Sequence, residues 1–277
     1  MDIDPHRAPP VIAFIGGGNM ASAVIGGLIA GGRPGESIIV VEPDDGQRAR
    51  IALQFGVHAR PTADAALSQA ALVVWAVKPQ LFAQAALPCA EVVQHALHLS
   101  VMAGIRTSAI TVATGSDRVV RAMPNTPALI GRGITGLFAT EAVSPADRAL
   151  AESVLLPTGS LLWVAKEEHL DAVTALSGSG PAYVFYFVEA MMQAAQEMGL
   201  SAEQGRQLAL ATFGGAAALA ERSPDTPATL RERVTSKGGT TYAALMSMDK
   251  DAVKAAFVRA LHAARVRAKE LGDEFGG

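Results

Sequence analysis

An apolar run, Val11-Ile-Ala-Phe-Ile15, breaks into Gly16-Gly17-Gly18-Asn19-Met20-Ala21 and then continues in small and apolar residues through Ile29. That order of residue types suits dinucleotide binding. Gly16 lets a strand turn tightly, Gly18 lets the backbone approach a pyrophosphate, and Ala21 lets the next helix pack close to the strand. The helix start then meets the anion with free N–H groups and the positive end of its dipole. Glycine-rich turns also cap ordinary strands, so the flanking pattern decides. Gly31-Gly32 stops the helix and Ile38-Ile39-Val40-Val41 supplies another strand, which completes a strand-helix-strand unit.

Open α/β sheets bind ligands at strand ends, which singles out three more clusters. Ala76-Val77-Lys78-Pro79 puts a lysine directly after a buried strand and a proline in the turn; the same lysine could simply solvate a loop. Ser100-Val101-Met102-Ala103-Gly104 is small enough for a flat ring to lie against the backbone. Arg121-Ala-Met-Pro-Asn-Thr-Pro127 holds Asn125 and Thr126 between two prolines that restrict them. In the second half, Val234-Thr-Ser-Lys-Gly-Gly-Thr-Thr241 sets hydroxyls and glycines ahead of a helix. It reads either as a nest of N–H groups suited to a carboxylate or as a loop with a threonine cap. The histidines, at 6, 58, 95, 98, 169 and 262, show no metal-ligand spacing, fall outside these clusters, and are expected mostly at the surface. No Gly-x-Ser-x-Gly elbow and no Cys/His arrangement supports acyl transfer. Reactivity is therefore expected from an organic cofactor, with no metal.

The elements that must position these residues follow from the pattern. With 277 residues, half hydrophobic and 18% charged, the chain can build two domains. Strands are expected at 11–15, 38–41, near 57, and at 71–77, 96–101, 118–122, 133–139 and 161–164, with helices from Ala63 and from Ser144-Pro145 between them. Such alternation implies a parallel sheet covered on both faces. From Lys166 the pattern is all-helical: one helix opens at Ser177-Gly-Ser-Gly-Pro181 and ends at Gly199, and Ser201 with Gln204 forms a capping box. Others start at Thr226-Pro227 and run from 249 to about 271. The expected fold is thus a doubly wound α/β domain over 11–165 followed by an all-α domain over 166–277, with residues 1–10 as a loose tail. Phe185, Val188, Met192 and Ala195 recur at helical spacing, and this excess of apolar surface suggests a subunit interface. A net charge of −3 with no basic cluster excludes nucleic acid as a partner. The apolar run 182–188 ends at Glu189, too short for a bilayer span, and the charged, proline-bearing first ten residues do not read as a signal peptide. The single cysteine, Cys89, reads as a small buried residue and fits a reducing, cytoplasmic setting.

AFIGGGNMA, AVKP, AGI, RAMPNTPA, LSGSGPAY and VTSKGGTT, in this order, resemble the pyrroline-5-carboxylate reductase family from Val11 to about Leu271. The resemblance implies a Rossmann domain followed by a helical dimerisation domain, a homodimer assembled further into a ring of dimers, and NADPH or NADH as cofactor. It implies reduction of 1-pyrroline-5-carboxylate to L-proline, the last step of proline biosynthesis. By position, Ile15, Gly16, Gly17, Gly18, Asn19 and Met20 would hold the pyrophosphate. Ala76, Val77, Lys78 and Pro79, with Val101, Met102 and Ala103, would line the path from adenosine to nicotinamide, and Asn125 would add a cofactor contact. Ser236, Gly238, Gly239, Thr240 and Thr241 would hold substrate, the N–H groups of Gly239 and Thr240 taking the carboxylate and the Thr241 hydroxyl the ring nitrogen. Glu167 would be a second contact to the amine, with Glu168 the rival. A protonated cyclic imine is already electrophilic, so such chemistry needs alignment more than a strong acid.

Three positions depart from the family's pattern. Lys237 stands where proline is usual, and Ala63 where many members carry an asparagine that contacts cofactor. Glu42 ends the second strand, where an acid binds a ribose 2′-OH and repels a 2′-phosphate, which favours NADH. An outward-turned Glu42 beside Pro43 would instead leave Arg48 or Arg50 to meet the phosphate, and both readings stand. A reductase of the hydroxyacid-dehydrogenase type would use a helix lysine, and none occurs between Glu168 and Ser236. The intact nest at 236–241 speaks against a nucleotide sensor without turnover.

Overall fold

The structure is a computed structural model and describes residues 9–275, so most of the segment expected as a loose tail lies outside the described residues. The first elements are β1 (Val11–Ile15), α1 (Asn19–Ala30), β2 (Ile38–Val41), α2 (Asp45–Phe55) and β3 (Ala70–Trp75). The short helices α3 (Phe82–Ala86) and α4 (Ala90–Val93) lead to β4 (Leu97–Ser100), α5 (Thr107–Thr114), β5 (Val119–Met123) and β6 (Gly133–Ala139). Then come α6 (Pro145–Leu155), β7 (Gly159–Trp163) and α7 (His169–Val173). The strands form one sheet in the order β2-β1-β3-β4-β5-β6-β7. Chain order reverses direction between β1 and β3, and the crevice beyond their carboxyl ends is where such sheets bind ligands.

Continuous apolar strands predict burial on both faces, and alternate residues indeed feed two cores. Ile12 and Phe14 join Val24, Ile25, Leu72 and Val74 on one face. Ala13 and Ile15 join Val73, Trp75, Phe82 and Ile110 on the other. Each large side chain buried this way contributes about 1.5–3 kcal/mol of transfer free energy. The sheet is not wholly parallel: β6 runs antiparallel to β5. The 124–132 connection contains only a 3₁₀ turn, Thr126–Ile130, and a short connection joins antiparallel neighbours where a parallel pair needs a crossover.

Other differences from the sequence reading have local causes. Val57 is buried but forms no strand, because α2 ends at Gly56 in the left-handed region and pairing reduces to a Val41–Arg60 bridge. The helix expected from Ala63 is the 3₁₀ turn Ala65–Gln69 capped by Asp64, since β3 starts at Ala70 and leaves no room for more. His98 is fully buried between Leu97 and Leu99. Its Nδ1 accepts from the Trp75 indole N–H at 3.1 Å, and burial pushes the imidazole down to about 4. The polar residue type had pointed outward, but its strand position points it into the second core.

Packing divides the chain into two compact units, one running to Ser179 and taken up again from Ala264, the other Gly180–Ala263. The division expected at 165 followed composition; residues 166–179 are largely helical, yet they pack on the sheet. Gly136 makes this possible, since a side chain there would come within 2.7 Å of Val173. A π-turn, Thr174–Gly178, stands where the sequence suggested the start of the helix. The second unit holds α8 (Gly180–Glu197), α9 (Ala202–Arg222), α10 (Pro227–Arg233), α11 (Thr240–Lys250) and the first part of α12 (Val253–Phe275). The expected Ser201/Gln204 capping box and Thr226 cap are present. Asp249 lies inside α11, and the break comes at Ala252, whose φ is +51°. Gly205 brings α9 against α8, a side chain there meeting Ala195 at 2.9 Å. Val188, Ala195 and Ala209 are buried, whereas Phe185, Tyr186, Leu208 and Leu219 are each more than half exposed.

Candidate active site

The three glycines after β1 do three different things. Gly16 sits at φ +96°, and a side chain on it would lie 2.6 Å from the Ala76 carbonyl at the end of β3. Gly17 is a packing glycine: a side chain would strike Ile51 at 2.5 Å. Its N–H donates to Glu42 Oε2 at 2.8 Å, and its carbonyl accepts from the Gln47 amide. Gly18 caps α1 in an extended conformation with nothing within 4 Å of where its side chain would project. No side chain caps the first turn of α1. Buried Ala21 seats the helix on the sheet. Free N–H groups, a bare glycine and a helix dipole fit a dinucleotide pyrophosphate, with Asn19 exposed and Met20 half-buried beside them. The Ile15 side chain is committed to the core, so its backbone is what it offers.

Beside this loop a cleft of about 480 Å³ is walled by Gly16, Val41, Pro43, Ala63, Val77 and Leu81. Its apolar lining suits a flat aromatic base, and Ala63 brings only a methyl group. Ala76 and Val77 follow β3, Lys78 is exposed, and Pro79 opens a 3₁₀ turn. Across the next strand, the Val101 N–H is held by the Trp75 carbonyl. Met102 is a correction in kind, because its side chain is buried in the core and leaves only backbone for a ligand. Ala103 is exposed.

Glu167 belongs to the sheet unit by its bonds. Its Oε1 accepts from the Thr107 N–H at 2.9 Å and from Arg121 at 3.0 Å, and its Oε2 from the Thr107 hydroxyl at 2.7 Å. It thereby caps α5 and neutralises a nearly fully buried arginine. Burial raises the neighbouring Asp171 carboxyl above its ordinary value, against the pull of Arg121, Arg106 and Arg265. Sequence reasoning missed this cluster, although an arginine in the apolar stretch Val119-Val120-Arg121-Ala122 signals a buried acidic partner. Asn125 also has a structural part: its Oδ1 accepts from the Ile134 N–H at 3.0 Å and its Nδ2 donates to Ser177 at 3.2 Å.

In the helical unit, Gly239 is the N-cap of α11 and no side chain caps that turn. The Gly239 N–H donates to the Ser236 carbonyl at 3.0 Å, and a side chain at Gly239 would meet the Ser236 hydroxyl at 2.5 Å. Gly238 sits at φ +76°. Ser236, Lys237, Gly238 and Thr240 are exposed and Thr241 is half-buried. The first-turn N–H groups and two threonine hydroxyls therefore form a tight, uncapped turn suited to a small anion, and Lys237 adds a positive charge without an ion pair among the described residues.

A Rossmann-type sheet with an open glycine turn at the start of α1, followed by a helical unit, is the architecture of a nicotinamide-dependent oxidoreductase. Residues 11–104 match the family described as "NADP oxidoreductase coenzyme F420-dependent", and residues 167–271 that described as "Pyrroline-5-carboxylate reductase dimerisation". A pyrroline-5-carboxylate reductase of Pseudomonas aeruginosa is 44% identical over 271 residues, covering 96% of this chain and 98% of the relative. A solved pyrroline-5-carboxylate reductase from Coxiella burnetii superposes with a TM-score of 0.88 at 37% identity, covering 96% and 99% of the two chains. The Plasmodium falciparum pyrroline carboxylate reductase with NADP bound gives 0.84 at 26% identity, over 96% and 99%. The chain belongs to the pyrroline-5-carboxylate reductase family.

Proposed function

We propose that this chain reduces 1-pyrroline-5-carboxylate to L-proline with NADPH or NADH, closing proline biosynthesis, and that it works as a homodimer built on its helical unit. The observation that carries this reading is the match to reductases of that name over nearly the full length of both chains. Gly16 to Met20 hold the pyrophosphate on the uncapped start of α1, and the cleft walled by Val41, Pro43 and Val77 takes the adenine end. Ala76 to Pro79 and the backbone of Val101 to Ala103 guide the rest. When bound, the reduced nicotinamide supplies a hydride to the carbon of the C=N bond.

The turn at the start of α11 does the remaining work. The Gly239 N–H, expected from the sequence to take the carboxylate, is committed to the Ser236 carbonyl, so the N–H groups of Thr240 and Thr241, with Ser236 and Gly238 shaping the loop, fix the carboxylate. The Thr241 hydroxyl bonds the ring nitrogen, orienting the imine and relaying the proton that nitrogen needs as the C=N electron pair becomes its lone pair. Lys237, where the family's pattern has proline, adds attraction for the carboxylate at the cost of a stiff loop. Glu167, bonded at both oxygens, positions Arg121 and α5, and Asn125 likewise ties the 124–132 connection down. The experiment is isotopic: with nicotinamide deuterated at its transferring position, the L-proline formed should be one mass unit heavier, with the label on the ring carbon next to nitrogen and remote from the carboxylate. Unlabelled proline, or none, contradicts the reading.

A further inference from the structure

We infer that Glu42 makes this enzyme prefer NADH over NADPH. The inference deepens the reductase reading and rests on it. Glu42 follows β2, beside the glycine turn, and both its oxygens are held: Oε2 accepts from the Gly17 N–H at 2.8 Å and Oε1 from the Asp44 N–H at 2.9 Å. The carboxylate is thus turned inward to the pyrophosphate loop. At this place in a Rossmann unit a carboxylate accepts from the ribose hydroxyls, and a doubly negative 2′-phosphate meets it as a like charge. Two more acids follow, Asp44 capping α2 through the Gln47 N–H and Asp45 paired with Arg48.

Of the cations that could receive a 2′-phosphate, Arg48 and Arg60 are engaged elsewhere, and exposed Arg50 commits only one of its N–H groups. Arg48 donates to the carbonyls of Glu42 and Pro43, both at 2.8 Å, besides its pairing with Asp45. Arg60 pairs with Asp64, and the Arg50 Nε–H donates to Gln47 Oε1 at 2.8 Å. Turning Glu42 outward would strip an acceptor from Gly17 and from Asp44 together, so the inward carboxylate is the state the local bonding supports. Cofactor choice is therefore set by a residue that also shapes the glycine turn.

Equilibrium titration of the intact enzyme with NADH and with NADPH, without substrate, tests this through nicotinamide fluorescence. NADH should bind roughly tenfold tighter or more, and added salt should narrow the gap, because screening weakens a repulsion. Glu42→Gln keeps an oxygen for the Gly17 N–H while removing the charge, and should bring the two affinities to within about twofold. Equal or tighter NADPH binding by the unaltered enzyme, a gap that widens with salt, or an unchanged ratio in Glu42→Gln overturns the inference. Should the variant melt early, the ratio and salt dependence of the unaltered enzyme still decide. Failure to bind either dinucleotide would instead sink the reductase reading.

Discussion

The sheet unit and the helical unit solve the folding problem differently. In the first, Ile12, Phe14, Leu72, Val74 and Leu97 are fully buried within one chain, and buried Arg121 is paired with Glu167, while His98 is bonded at Nδ1 by Trp75 and left without a partner at Nε2. In the second, a few small residues carry the packing while Phe185, Tyr186, Leu208 and Leu219 stay exposed. A unit that leaves so much apolar surface uncovered is built to be completed by a second copy. The contrast separates a sheet unit that buries its own core from a helical unit that depends on a second copy to cover its apolar faces.

The largest effect should come from breaking that dependence. Replacing Phe185 and Leu208 together by glutamate should abolish self-association in sedimentation and nearly all turnover with it, while the sheet unit still binds dinucleotide. A dimeric double variant with normal turnover would erase the distinction. Next, Thr241→Ala should lower kcat by about a hundredfold and leave cofactor affinity nearly unchanged, a separation of the two units by kinetics. Normal kcat removes Thr241 from the proton path.

Within the sheet unit, two glycines of one turn sharpen the picture. Gly16→Ala must place a side chain against the Ala76 carbonyl at positive φ, and should lower stability by about 1–3 kcal/mol. Gly18→Val projects into open space and should melt near the unaltered enzyme yet lose dinucleotide binding about tenfold or more. Equal losses of stability would show the glycine run to be structural only.

A last effect, on stability alone, is a pH dependence. His98 has its pKa lowered to about 4 in the fold, so between its ordinary 6.5 and 4 the unfolded chain takes up a proton that the folded one refuses. Stability should therefore fall as pH falls through that window, by about 3 kcal/mol from this group. Urea unfolding reads it as a slope that His98→Gln lacks; parallel profiles would contradict it.

The sequence made the sheet unit readable because its signals are local: glycines between an apolar strand and a small-residue helix, and the Ser144-Pro145 cap; the caps at Ser201 and Thr226 did the same for helices of the other unit. What escaped it depended on partners distant in the chain. The Glu167 bonds to Thr107 and Arg121 join residues far apart in sequence. The direction of β6 followed from a connection whose length is visible but whose shape is not; His98 points inward by its strand position against its residue type, and Met102 turns into the core just past the end of β4. The glycine turn ahead of α11 was legible as a motif, since glycine and hydroxyl spacing shapes its backbone.

The most direct measurement follows reduced-nicotinamide absorbance when purified enzyme is given 1-pyrroline-5-carboxylate with NADH or with NADPH. Oxidation that requires the imine, leaves L-proline, and falls about a hundredfold in Thr241→Ala is the result expected. Cofactor binding with no oxidation in the presence of the imine would contradict the account at its centre.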